Sequence, residues 1–144
     1  MSTSERRIPG RIIIEGTAEG EALAATEPLS FWGGYSQTTG EIIDRRHPLS
    51  GKIGAGKILV LPFTRGSSTT TAILLESVRK GVAPAALVTD RPDVFLALAS
   101  VVADEMYKGS FPMIAVARED FESISTGDHV RIDEDGSIVV TPGA

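Results

Sequence analysis

Apolar residues fall in short unbroken blocks punctuated by glycine, proline and charge. "KILVLPF" (residues 57–63), "AALVTD" (85–90) and "PMIAVA" (112–117) are strand-length runs with little polar alternation, the pattern of strands covered on both faces, and the first is placed centrally in a sheet. Between the first two, "SSTTTAILLESVRKG" offers hydroxyl residues to cap a helix. Thr71, Leu74, Leu75 and Val78 recur at helical spacing, Arg79 and Lys80 sit in the last turn, and Gly81 supplies a stop. Between the second and third, "PDVFLALASVVADEMYKG" predicts a helix over about residues 93–107 that is apolar nearly all round and therefore buried. Nearer the ends the pattern is that of strands bounded by turns. "RIIIEG" (11–16) and "GEALAAT" (20–26) predict a hairpin through a turn at 17–19. "DHVRIDEDGSIVVT" alternates on both sides of Asp135-Gly136 and predicts a second hairpin. "EII" (41–43) predicts a short strand inside a long irregular loop.

The resulting order, hairpin, long loop, βαβαβ, hairpin, is an α/β (mixed) fold: a partly parallel sheet with two main helices, flanking hairpins and right-handed crossovers. A chain of 144 residues is one domain's worth, expected to bury about 70% of its unfolded surface, with residues 1–9 a flexible end. Hydrophobic residues at 42% and charged ones at 23% are those of a soluble globular protein. The net charge of -5 with no basic run argues against nucleic acid as a partner. No stretch reaches the ~20 apolar residues of a membrane span, and "MSTSERRIPG" lacks the apolar segment of a secretion signal, so a cytoplasmic location is expected. Cysteine is absent, which removes disulfides, thiol catalysis and any thiolate-held zinc or iron–sulfur centre from this chain.

Three segments could carry chemistry. "GKIGAGKI" sets Gly51, Gly56 and Lys57 in the register of a phosphate-binding loop, but Ile58 stands where a hydroxyl should hold magnesium, and the motif leads into a strand where a helix should open. A glycine-rich turn with Lys57 at a strand edge is the better reading. "FTRGSSTTT" (63–71) has the context the first lacks. It ends an apolar strand and opens a helix, where free N–H groups and the helix dipole favour an anion. Gly66 permits close approach of a ligand, and Arg65 adds a planar donor fork for a carboxylate or phosphate. Against this stands the plainer possibility that Ser67 or Ser68 is only a helix cap and Arg65 only a surface charge.

The third segment, "PLSFWGGYSQTTGEIIDRRHPLSG" (28–51), puts the only Trp, a Phe, a Tyr and one of two His among turn residues. The Gly33-Gly34 pair, flanked by Trp32 and Tyr35, can bring backbone close to another surface, so the loop reads as an interface or a site wall. The alternative is a loop folded over its own core with Phe31 and Trp32 as satellite core residues. His47 and Asp44 fit either a binding role or structural hydrogen bonding.

The combination "PLSFWGGYSQTTGEIIDRRHPLSGKIGAGKILVLPFTRGSSTT" with "GVAPAALV" downstream resembles the small subunit, or swivel domain, of the aconitase X family. The resemblance covers about residues 10–116. It implies a swivelling β/β/α domain that closes over an iron–sulfur centre held by a large (catalytic) subunit, in a hydro-lyase active only as the complex. It further implies that a Ser of the "GSS" turn is the base that removes a proton during dehydration: Ser67, with Ser68 as the fallback. Arg65, Gly66, Ser68, Gly33 and Gly34 would then surround a small-molecule carboxylate or phosphate, and no metal would be bound by this chain. Members dehydrate cis-3-hydroxy-L-proline or phosphomevalonate, and "RGSS" is more similar to the bacterial form than to the archaeal turn. A function of another class, a stand-alone anion-binding or regulatory module, stays open at this point.

Overall fold

A computed structural model describes residues 5–30, 34–62, 64–65, 76–77, 79–90 and 112–143. Among them, strands β1 (Arg6–Ile8), β2 (Arg11–Ile14), β3 (Ala18–Ala24), β5 (Ile58–Val60), β7 (Ala86–Thr89), β8 (Met113–Ala115), β9 (His129–Ile132) and β10 (Ile138–Thr141) form one eight-stranded mixed sheet in the order β1-β10-β9-β3-β5-β7-β8-β2. Strands β3, β5, β7 and β8 run parallel, and the outer pairings are antiparallel. Strands β4 (Leu29–Ser30) and β6 (Thr64–Arg65) form a separate parallel ribbon.

The unbroken apolar runs are explained by two cores, one on each face. Ile58 and Val60 of β5 and Ala86 and Val88 of β7 join Ile8, Val130, Ile132, Ile138 and Val140 inside the curl of the sheet. The intervening Leu59, Leu61 and Leu87 turn the other way and meet Leu23, Leu29 and Met113, together with Tyr35, Ile42 and Leu49 from the long loop. Alternate residues of a strand face opposite sides. Here both sides are apolar, one rich in β-branched residues and the other in leucine. Each fully buried side chain of this kind contributes about 1.5–3 kcal/mol.

Strands β5, β7 and β8, the central place of β5 and the β9–β10 hairpin match the expectation. In that hairpin Gly136 adopts a positive φ of 87° and donates its N–H to the Asp133 carbonyl. Gly81 also ends a helix as expected: at φ 74° it sits just past the helical Glu76, Ser77 and Arg79, and the N–H of Val82 reaches back to the Ser77 carbonyl. The rest of that helix and the one expected over about residues 93–107 lie outside the described residues.

Three expectations need correction. The strands expected to form the first hairpin do not pair with each other. Strand β2 lies on β8 at one edge, while β3 is inserted between β9 and β5, pairing antiparallel through Ala18–Glu21 and parallel through Ala22–Ala24. The buried β5 needs a neighbour on each side, and the apolar end of β3, with Ala22 and Leu23 buried, supplies one. Residues 6–8 are not a flexible end but the edge strand β1, with Ile8 buried and Arg7 paired to Asp133 at 3.1 Å. Residues 41–43 make isolated bridges, Tyr35 to Ile42 and Glu41 to Ile53, in place of a strand.

Strand β1 and strand β2 are consecutive in the chain yet close opposite ends of the sheet. The sheet is curled so that Pro9 and Gly10 span the gap, with Gly10 against the carbonyl of Gly136 and the side chain of Ile114.

Candidate functional site

In sheets of this kind ligands bind beyond the carboxyl ends of the parallel strands. The β5–β7 ladder ends where the Leu61 N–H meets the Val88 carbonyl. Pro62, which has no N–H to give, then leaves the sheet, and the fully buried Thr89 holds it by donating its hydroxyl to the Pro62 carbonyl at 2.7 Å. Strand β6 follows at once. Its partner is β4, the first residues of the long loop, with Leu29 opposite Thr64 and Ser30 opposite Arg65. The chain therefore lays the entry to the aromatic loop directly beside the entry to the serine turn.

Of the site residues expected from sequence, Arg65 is placed through its backbone in β6 and Gly34 is described in full. Gly34 is buried, its carbonyl accepts the N–H of Ile43, and a side-chain carbon there would stand 3.1 Å from Leu29 Cδ1. Gly33, Gly66, Ser67 and Ser68, with Phe31 and Trp32, lie outside the described residues.

The loop is fastened elsewhere too. Tyr35 is buried, and its hydroxyl donates to the Val82 carbonyl at 2.6 Å, tying the loop to the far end of the helix that follows the serine turn. Tyr35 is thus a core residue and not a surface aromatic. Burial pushes the ionisation of this phenol well above its ordinary 10.0. The folded chain then holds the phenol proton to higher pH than the unfolded chain does, so this contribution is fully present below pH 10.0 and is lost as the pH rises beyond it. Tyr35→Phe is expected to lower stability at neutral pH by about 1–3 kcal/mol, because it strands a carbonyl partner. In denaturant titrations the variant should lose less further stability than the parent between about pH 9 and about pH 11.

His47 and Asp44 have structural partners. The Leu49 N–H donates to His47 Nδ1 at 3.1 Å, which leaves the proton on Nε2 to be donated to the Glu27 carbonyl, also at 3.1 Å. Asp44 accepts the Arg46 N–H through its carboxylate and the His47 N–H through its carbonyl. Lys57 sits at the amino end of β5, the opposite end from β6, in an ion pair with Glu21 at 3.3 Å, so "GKIGAGKI" is a turn and not a phosphate loop.

Sequence reasoning missed two features at the carboxyl end of the sheet. Asp90, whose side chain is only 4% exposed, follows β7 and binds Arg118 at 2.5 Å. Arg118 opens a short helix, Arg118–Ser123, and lies 5.3 Å from the Phe121 ring centre. The signals were there: Glu119 and Asp120 in a first turn, Arg118 and Glu122 at i,i+4, and Phe121 and Ile124 three apart. Beside this helix a cleft of about 380 Å³ opens at the ends of β3 and β5, lined by Ala24, Thr26, Pro48, Val60, Phe121 and Thr126.

A curled mixed sheet with four parallel central strands, whose strand β5 leads into the β4–β6 ribbon beside the long loop, is the architecture of a swivel class of domain. A family model described as the aconitase X swivel domain matches residues 7–141. The chain belongs to the aconitase X swivel-domain family. It is 43% identical over 122 residues to a cis-3-hydroxy-L-proline dehydratase of Pseudomonas aeruginosa, covering 85% of this chain and 21% of that protein, so it spans about a fifth of that relative's length. It is 34% identical over 141 residues to the phosphomevalonate dehydratase small subunit of Methanopyrus kandleri, covering 97% and 100% of the two chains. The crystal structure of Thermococcus kodakaraensis aconitase X in its holo-form superposes with a TM-score of 0.83 at 31% identity, covering 95% of this chain and 99% of that one.

Proposed function

We propose that this chain is the small subunit of an aconitase X type hydro-lyase, closing over the active site of a large subunit and supplying Ser67 as the base, with cis-3-hydroxy-L-proline as the substrate. The observation that supports this reading is the β4–β6 ribbon, which pairs Leu29 and Ser30, at the entry to the long loop, with Thr64 and Arg65, the residues just before Gly66 in sequence. The substrate is favoured by the 43% identity to a hydroxyproline dehydratase against 34% to a phosphomevalonate dehydratase subunit.

An iron–sulfur centre does not fit this chain's own residues. There is no Cys to supply thiolates, and the described residues contain no cluster of three or more His, Asp or Glu able to hold a metal. The centre is therefore assigned to the large subunit. In dehydration the C–H electron pair becomes the new double bond as hydroxide leaves the neighbouring carbon. Ser67 Oγ takes the proton. A serine hydroxyl is a weak base, so the alkoxide needs fixed donors and the charge of Arg65, and closure against a partner excludes the water that would compete with them.

Mixing the purified chain with its large subunit should give dehydration of cis-3-hydroxy-L-proline, while each subunit alone is inert. Turnover of phosphomevalonate in its place would move the substrate assignment. Turnover of neither by a demonstrably formed complex would sink the hydro-lyase reading.

A further inference from the structure

Strand β7 is buried along its whole length, yet it ends in a threonine. Ala86 and Val88 face the β-branched core and Leu87 the leucine-rich one, so Thr89, two residues beyond Leu87, belongs to the leucine side, where it has no exposed surface. A hydroxyl buried there is costly unless it is bonded, and valine would fill the same space without that cost. The bond it makes explains its presence: Thr89 donates to the Pro62 carbonyl at 2.7 Å, across 27 positions of sequence.

Pro62 is where the chain leaves the sheet, and it is buried as well. Among the described residues the last bond of the β5–β7 ladder runs from the Leu61 N–H to the Val88 carbonyl, and two residues after Pro62 the chain pairs again, as β6 against β4. Between the two ladders the Thr89 hydroxyl stands in for a backbone partner. Its own footing is firm. Thr89 lies opposite Ala115 in the β7–β8 pairing, and its carbonyl accepts the Val116 N–H at 2.8 Å. A β-branched side chain is stiff about its first torsion, so the position of the sheet passes to Pro62 with little play. In sequence Arg65 lies three residues beyond Pro62, and Ser67 two beyond Arg65.

We infer that Thr89 is a positioning residue for the dehydration: its hydroxyl fixes the exit of β5 at Pro62 and so sets the course on which β6 leads to Arg65 and into the serine turn. The inference rests on the small-subunit reading above and adds to it a residue that acts from inside the sheet. Being fully buried, Thr89 reaches the reaction only through Pro62 and β6. A displacement of about 1 Å in a reacting group costs on the order of a hundredfold in rate, which is the scale on which a lost anchor acts.

The test compares Thr89→Val and Thr89→Ala, which remove the hydroxyl and differ in the space they leave, with Thr89→Ser, which keeps it. Each is assayed in the full chain reassembled with its large subunit, on cis-3-hydroxy-L-proline and well below the melting temperature. The two hydroxyl-free variants are expected to lower kcat about tenfold to a hundredfold and to change KM by less, while Thr89→Ser stays within about threefold of the parent. Val130→Ala, which opens a cavity in β9 three strands away, should lower the melting temperature by about 5 °C and leave kcat unchanged, so that loss of stability is separated from loss of position. Amide exchange in the chain alone gives a readout independent of turnover: protection in the β4–β6 ribbon should fall about tenfold without the hydroxyl, while that of β9 and β10 is kept. An active parent whose hydroxyl-free variants keep kcat within about threefold, or a Thr89→Ser as poor as Thr89→Val, overturns the inference while the small-subunit reading stands. A formed parent complex that turns over neither cis-3-hydroxy-L-proline nor phosphomevalonate is instead the failure of that reading, whatever the exchange shows.

Discussion

Ser67→Ala, assayed in the reassembled complex with cis-3-hydroxy-L-proline, is expected to lower turnover by about a thousandfold or more while leaving the affinity between subunits unchanged. Loss of a positioned proton acceptor costs roughly two to four powers of ten, whereas loss of a helix cap costs only about 1 kcal/mol of stability, so the two roles separate cleanly. Ser68→Ala should cost far less. Arg65→Lys keeps the charge but loses the planar fork. It should raise KM and lower kcat together if that side chain grips the substrate carboxylate through the transition state. Near-normal kcat in Ser67→Ala would end its assignment as base, and an inactive Ser68→Ala beside it would move the role one residue along the turn.

The largest expected loss of stability comes from one methyl group at Gly10. A side-chain carbon there would overlap the Gly136 carbonyl oxygen and Ile114 Cγ2, and the first of these is backbone that cannot swing aside. The seam would have to open. Gly10→Ala should cost about 3 kcal/mol, or on the order of 10 °C in melting temperature. Gly56→Ala is the control: its φ of 72° is left-handed, but nothing stands within 4 Å of an added carbon, so only backbone strain of about 1 kcal/mol is expected. The opposite ranking in chemical denaturation would show that the sheet does not need its seam closed.

These two positions also mark how far the sequence could be read. Strands β5, β7 and β8 were legible because both of their faces are buried, which writes an uninterrupted apolar run into the chain. The β9–β10 hairpin was legible because Asp135-Gly136 states its turn locally. Pairing was legible only where it is local. Nothing near residues 11–26 says that β2 belongs with Met113–Ala115, or that β3 must serve β9 with its first half and β5 with its second. For the same reason nothing in the sequence marks Gly10, since its constraint comes from a residue 126 positions away. The long loop was read for its aromatics, but the residues that hold it, Ile42 and Leu49 in the leucine-rich core and His47 on the Glu27 carbonyl, are spaced irregularly and carry no period. The β4–β6 ribbon is two residues long on each side and follows from tertiary placement alone.

The pairing of β1 with β10 and of β3 with β9 sets a timetable for the growing polypeptide. Arg6 lies opposite Val140, and Ala18 opposite Ile132. The parallel strands β5, β7 and β8 can assemble once Ala115 has left the ribosome, but the β-branched face of that sheet stays uncovered until residues 129–141 are synthesised. Such remote pairings slow folding, because the closure entropy must be met before any contact rewards it. The nascent chain therefore exposes a valine- and isoleucine-rich surface until residues 129–141 have been made, and it is in that interval that a chaperone, or a second half-made copy, has its opportunity.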